Sequence, residues 1–417
     1  MSIEYINPGR HRAAPEPRPL ISRDCGAEGC EVDWLASKRH EAELDIEAFT
    51  RFALEQGWGD GLPLVPPTDA RVRTFLSEND RYPDEVIGEL PGNVECTVEK
   101  IVINAVMAGA PAESLELLIA MIASIADPDF ELYGVNATTA PVYPAFVVNG
   151  PIRHRLEIPY SYGCLGGVPG NSASIGRAIR LMMRNIAGQT TGGTSQTTFG
   201  SPGRVAGIVT GEWEEKSPWA PLAERRAGLS GDAVTSFGTM GTMNVIDTTS
   251  HSARDFLEMI GRSYAYAGCN NFSGAVPFGE AMIAINPICA EIVGRELPDI
   301  EDAQELVWKY ASLHESAFNK EHRDQLALQE RIRGDGRVYA TPEPKDVILF
   351  VAGGLGGLHA ACFHTFGTSL SQTRPVASAV PADRAQAAEY GHWWFRRPGS
   401  GPGRRSFRDF WREIWRA

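Results

Sequence analysis

The chain has no run approaching the ~20 consecutive apolar residues that a membrane-spanning helix needs, so no membrane span is expected. Its first stretch, "MSIEYINPGRHRAAPEPRPL", lacks the apolar core of a signal peptide, and export by that route is not expected. Positive charge is in deficit: 39 Lys and Arg against 52 Asp and Glu leave a formal charge of −13, which argues against a nucleic-acid-binding surface. Cysteine is sparse, with seven residues, odd in number and scattered, so a disulfide framework is not expected and a reducing cytoplasm is. No internal repeat is visible.

What is present is a long, ordinary globular composition. At 417 residues the chain exceeds the roughly 250–300 residues that one core supports. The apolar fraction is 43% and the charged fraction 22%, both usual for a packed domain. Residues 1–44 read as an irregular, polar, Pro-rich arm. Residues 45–376 read as an α/β domain, with a division into subdomains near 45–215 and 216–376. Residues 377–417 form an Arg/Trp-rich tail, with seven arginines and four tryptophans between Tyr390 and Ala417. Phe407, Phe410, Trp411 and Trp415 recur there at helical spacing, so the tail is expected to cover an apolar patch of this chain, of a second copy in a homo-oligomer, or of a partner protein. A basic membrane-surface segment is the alternative.

Helical spacing marks "DIEAFTRFALEQG", "TVEKIVINAVMAGA", "AESLELLIAMIASIA", "SARDFLEMIGRSYAYAG" and "IEDAQELVWKYASLHESAF". Strands are expected at "APVYPAFVVNGP", "RVAGIVTGE" and "KDVILFVAGG", and "GEAMIAINPICAEIVGREL" reads as a strand running straight into a helix. The fold class is therefore α/β, a mixed sheet with helices on its faces and glycine-rich loops at strand ends.

One such loop is "YGCLGGVPGNSASIGRAIRLMMRN". Ile175, Ile179, Met182 and Ile186 make an apolar stripe, so a helix starts near Ser172 or Ser174, preceded by Gly163, Gly166, Gly167 and Gly170. Helix starts carry unpaired N–H groups and partial positive charge. Arg177, one turn in, could grip a carboxylate or phosphate with two donors. The stretch is neither a dinucleotide fingerprint nor a P-loop. A plain N-cap at Asn171 or Ser172 with a solvated Arg177 is the structural alternative. Cys164 is either a thiol activated by the helix start or a packing residue.

The second glycine loop is "AGGLGGLHAACFHTFGTSLSQTRP". His359, Cys362 and His364 are metal-ligand and nucleophile–base residue types. A site using His359 and His364 requires non-helical backbone, and a divalent metal is the cofactor it would hold. Amides and hydroxyls cluster at Asn136, Thr138 and Thr139, at Asn149, at Asn270 and Asn271, and at Asn104 inside an apolar helix. Buried amides need partners, so these groups either line a polar pocket or staple loops. Asp60, Glu99, Glu212 and Glu215 are the acidic groups that could work in such a pocket. Cys25 and Cys30 lack further ligands at zinc spacing.

The segments "GWGDGLPLVPPT", "TVEKIVINAVMAGA", "DPDFELYGVNATTAPVYPAFVVNGPIR", "NSASIGRAIRL", "EWEEKSPWAPL" and "CNNF", in that order, resemble a family of bacterial proteins of largely unassigned function linked to the UGSC-motif (seleno)proteins. The resemblance covers roughly residues 45–320. It implies a shared α/β fold and a shared pocket at Asp60, Asn104, Thr138, Thr139, Asn149, Arg177 and Asn271, and it runs through Asn171 and Gly176. The Sec/Cys-Gly-Ser-Cys run itself is absent, the nearest stretch being Gly163-Cys164-Leu165-Gly166.

Three expectations follow. The first is an enzyme, a lyase or an oxidoreductase, acting on a small anionic metabolite. Its anion would rest on the amides ahead of Ile175, on Gly176 and on Arg177. Asn104, Thr138, Thr139, Asn149, Asn171, Asn270 and Asn271 would orient it. Asp60 or Glu212 would serve as acid/base, with Cys164 or the His359/His364 pair as reactive element. The second is a metal-dependent lyase or hydrolase built on His359 and His364. The third is a non-catalytic partner of a separate thiol or selenol protein.

Overall fold

The computed structural model describes residues 2–6, 35–43, 45–79, 81–276, 279–357, 359–367 and 369–377. Cys25, Cys30 and the Arg/Trp-rich segment from residue 378 onward lie outside the described residues. No helix among the described residues is long and apolar enough to cross a membrane.

The periodic segments form the elements their spacing predicts. Helix α1 (Ile46–Glu55) is capped by Asp45, whose carboxylate accepts the N–H groups of Glu47 and Ala48. Helices α2 (Val98–Ala108) and α3 (Leu115–Ile125) are almost wholly buried. Strand β1 (Tyr143–Asn149) leads through α4 (Ser172–Asn185) to β2 (Ile208–Gly211) and β3 (Ala233–Ile246). Helix α5 (Ala253–Tyr264) precedes β4 (Ala281–Ile285), which enters α6 (Pro287–Glu296) and α7 (Ile300–Tyr310). Strands β5 (Val347–Val351), β6 (His359–Thr365) and β7 (Gln372–Pro375) complete a mixed seven-stranded sheet of order β5-β4-β6-β3-β1-β2, with β7 also pairing β3. The long polar strand β3 and the strand β6 have no apolar run of their own and are not marked by the sequence patterns.

The sheet is a duplication. Strands β1 and β2 are parallel, and β3 returns antiparallel beside β1. In the same way β4 and β5 are parallel, and β6 returns antiparallel beside β4. Val148 faces Gly211 and Val234, while Ile285 faces Val351 and Ala360. These registers equate Val148 with Ile285, Gly211 with Val351 and Val234 with Ala360. Counting along the strands, Thr239 then corresponds to Thr365, and those two residues face each other where β3 pairs β6, as a two-fold relation requires. The expectation of no repeat is thus corrected. Its trace in sequence is short: "SFGTMGT" at 236–242 against "CFHTFGT" at 362–368. The repeat boundary falls after β3, in the connection to α5.

The sheet curls around its own core. Tyr143, Ala145 and Val147 from β1, Ile208 from β2, Phe237 from β3, Met282 and Ala284 from β4, Ile348 and Phe350 from β5 and Phe363 from β6 form one buried cluster. The equivalent Phe237 and Phe363 meet edge to face with centroids 5.2 Å apart. The edge strands β2 and β5 are tied together by the Trp213 N–H donating to the Val351 carbonyl at 2.6 Å. The segment from Pro159 to Cys164 straps the same edges: Pro159 accepts from Gly211 and Tyr160 accepts from Gly353, each at 2.9 Å. On the outer surface, α2, α3 and α4 cover β1, and α5, α6 and α7 cover β4 and β5.

Candidate functional site

The two glycine loops read from sequence meet around one cavity of about 290 Å³. It lies at the carboxyl ends of the parallel strands β4 and β5, where open α/β sheets present their ligand sites. Ala284, Ala352 and Ala361 belong to its wall, with Cys164 and Tyr162 from the strap. Gly353, Gly354, Gly356 and Gly357 form another side, and Asn244, Asn286 and His359 supply polar groups. A Cβ on Gly354 would overlap the ring of Tyr162, so glycine is required there for close approach.

Asn286 organises the polar side. Its Oδ1 accepts the Cys289 N–H at 3.0 Å, capping α6, and its amide donates to the His359 carbonyl at 2.6 Å. The Asn244 amide donates to Nδ1 of His359 at 3.1 Å, leaving the proton of a neutral imidazole on Nε2. The backbone N–H groups of Gly354, Leu355 and Gly356 have no hydrogen-bond acceptor among the described residues. Gly354 and Gly356 line the cavity, and successive backbone amides in a glycine turn are a type of group that binds anions.

The counterpart in the first unit is filled by side chains. Asn149 occupies the place of Asn286, and Glu212 that of Ala352. Glu212 has no exposed surface. One of its oxygens accepts from the Asn149 amide at 2.7 Å and from the Leu222 N–H at 2.6 Å. Burial pushes its carboxyl up, against the opposing pull of Arg225. Glu214 accepts from the Asn149 amide at 2.9 Å and from the Gly150 N–H at 2.7 Å, and it pairs with buried Arg153 at 3.1 Å. By count, Glu212-Trp213-Glu214 corresponds to Ala352-Gly353-Gly354. One unit holds its own carboxylates at this strand end, whereas the other has an open cavity there.

The remaining sequence candidates disperse, and the expectation that they line one pocket is corrected. Arg177 is not free to grip an anion. Its Nε and Nη2 bond both oxygens of Asp60 at 2.7 and 2.8 Å, and its Nη1 donates to the Pro63 carbonyl at 2.9 Å. Burial raises the Asp60 carboxyl, yet Arg177 and the Leu62 N–H outweigh it and leave Asp60 below its ordinary value. The pair staples the "GWGDGLP" loop to α4. A Cβ on Gly176 would overlap the Ala206 carbonyl, so that glycine serves helix packing. Asn171 donates to the Leu156 carbonyl at 3.1 Å.

Asn104 donates to the Lys100 carbonyl and accepts from Asn185 at 2.7 Å, joining α2 to α4. The Thr138 hydroxyl accepts the Ala140 N–H, and the Thr139 carbonyl accepts the Thr198 N–H. Asn271 donates to the Glu280 and Ala340 carbonyls and accepts from the Tyr264 hydroxyl, whereas Asn270 lines a different cavity. Glu212 is an internal anchor and not an acid/base group facing a ligand. The amides are loop staples, because each buried one already has a backbone or side-chain partner.

The histidines and thiols divide as well. On a strand rising ~3.3 Å per residue, His359 and His364 are about 16 Å apart along β6 and on opposite faces, so they cannot ligate one metal. No group of three His, Cys, Asp or Glu side chains suited to a metal occurs among the described residues. Burial pushes the Cys164 thiol up, with Thr210 and Gly353 opposing, and Cys269 and Cys362 are each pushed up to about 12. None of these thiols is poised as a thiolate.

Of the sequence candidates, only His359 and Cys164 line the glycine-walled cavity. Asn286 was readable as a cap before proline at a strand end, whereas Asn244 carried no local signal. No family model matches the chain, and no curated protein matches it.

Proposed function

We propose that the chain is an enzyme acting on a small anionic metabolite held in the glycine-walled cavity at the ends of β4 and β5. The observation that carries this reading is the contrast between the two units. Where the first seats Glu212 and Glu214 on Asn149, Gly150 and Leu222, the second has Ala352 and Gly354, beside the glycine turn that lines the cavity. A ligand carboxylate or phosphate takes the place of the missing side-chain carboxylate. Backbone amides aimed at an anion need no reorganisation when charge develops, which is how such sites stabilise transition states.

His359 is the imidazole at this cavity and the side chain assigned to proton transfer. Its Nδ1 is held by Asn244, so Nε2 exchanges the proton with substrate. The raised thiols favour proton-assisted bond cleavage, a lyase-type reaction, over thiol-assisted redox chemistry. In this reading kinship with the UGSC-linked proteins extends to the fold and not to a shared thiol mechanism.

Thermal-shift titration with inorganic phosphate and a panel of short mono- and dicarboxylates tests the reading, since a ligand that binds only the folded state raises Tm with concentration. At least one anion is expected to stabilise the wild type. His359→Gln should retain that stabilisation while losing turnover of the substrate identified. If no anion in the panel shifts Tm, the reading is wrong.

A further inference from the structure

A second cavity, of about 650 Å³, lies beside the middle of β3 and the end of β6 and shares no lining residue with the glycine-walled one. Met240, Met243, Tyr266, Asn270, His322 and His364 line it. We propose that this cavity is a binding site for an uncharged, planar aromatic molecule that donates an N–H or O–H hydrogen bond to His364.

His364 is only 7% exposed. One ring nitrogen bonds the Tyr264 carbonyl, and Nε2 is buried with no hydrogen-bond partner. A carbonyl only accepts, so Nδ1 carries the proton and Nε2 presents a lone pair. Burial lowers the ring's basicity, which keeps it neutral. A buried acceptor left unsatisfied in a native structure calls for an explanation, and a ligand donor is one.

The surroundings select the rest of the ligand. The Tyr264 ring lies 4.8 Å from His364 at 36°, and the Tyr266 ring meets it nearly edge-on at 5.1 Å. Tyr266 is 46% exposed, so it can swing aside and then stack on an entering ring. Met240 and Met243 add adaptable thioethers that favour aromatic contact. Among the described residues no Asp, Glu, Lys or Arg lines the cavity, and Nε2 of its second histidine, His322, is engaged by the Phe272 carbonyl at 2.8 Å, so no permanently charged side chain meets an anion or a cation. An anion would also face the Nε2 lone pair of His364 directly. The cavity has no counterpart in the first unit: Gly238 stands in the place of His364, with Ser369 packed against it.

The test uses indole, which has the shape and the donor, against 1-methylindole, which has the shape alone. Calorimetric titration of the full chain should show indole binding at least tenfold more tightly than 1-methylindole. His364→Phe, which keeps a flat ring without the acceptor, should abolish that difference, and indole-3-carboxylate should bind more weakly than indole. Should His364→Phe fail to fold, the ¹⁵N resonance of His364 Nε2 in the wild type gives the second readout, moving with indole and not with 1-methylindole. Absence of indole binding, equal binding of the two indoles, or an unmoved Nε2 resonance would overturn the proposal.

Discussion

Glu212 and Ala352 occupy the same place in the two halves of the sheet. Each follows the last residue of its strand, and each donates its N–H to the neighbouring strand at 3.1 Å, Glu212 to Val148 and Ala352 to Ile285. The backbone is equivalent, while one side chain is a buried carboxylate and the other a methyl. That single difference separates a self-filled strand end from an open one. The functional reading and most of the expectations below depend on it.

Glu212 makes two distinguishable contributions. Glu212→Ala leaves the buried Leu222 N–H without an acceptor and the Asn149 amide with Glu214 alone, and should cost about 2–3 kcal/mol in denaturant unfolding at pH 7. Glu212→Gln keeps an acceptor and should cost less. Burial raises the folded pKa of Glu212 above its unfolded value, so the folded state holds this proton more tightly. Stability from this group is therefore fullest below the unfolded pKa and declines as pH rises towards the folded one. The stability–pH curve of Glu212→Gln should lack that decline.

The Asp60–Arg177 pair is expected to be structural. Arg177→Met should lower stability by about 2 kcal/mol, because the partly buried Asp60 loses both of its bidentate bonds. The double variant with Asp60→Asn should cost less than the sum of the two single changes. The folded pKa of Asp60 is depressed, so its contribution is present above the unfolded pKa and is lost as pH falls through the folded value. Anion affinity at the glycine-walled cavity should be unchanged in both variants.

Thiol chemistry gives a third expectation. Burial raises Cys164, Cys269 and Cys362, so iodoacetamide should alkylate them in the native protein at pH 7.5 at least tenfold more slowly than in the unfolded chain. Cys164→Ser should retain the anion-dependent thermal shift. Rapid native alkylation of Cys164, found by peptide mass mapping, would restore the thiol reading.

Much of the fold was legible because helices α1 to α3 and strands β1, β4 and β5 carry strong apolar periodicity. Strand β3 was not, since "AVTSFGTMGTMNVI" alternates small and hydroxylated residues with few large ones, and its stability comes from pairing β1 and β6. The duplication stayed hidden because it is held by register: Gly211 and Val351, or Glu212 and Ala352, match in place and not in kind. In the site, the glycines of both loops were visible, but not that they face one another. Arg177 was read as free because its partner lies 117 residues away, and no local pattern reports a contact at that range.

The most direct measurement is anion titration of Ala352→Glu beside the wild type. The equivalent position already holds Glu212, so the substitution should fold and place a carboxylate in the glycine-walled cavity. The expected result is a cooperative unfolding transition with the anion-dependent Tm shift abolished. An Ala352→Glu protein that folds and binds the same anion with unchanged affinity would contradict the assignment of this cavity as the ligand site.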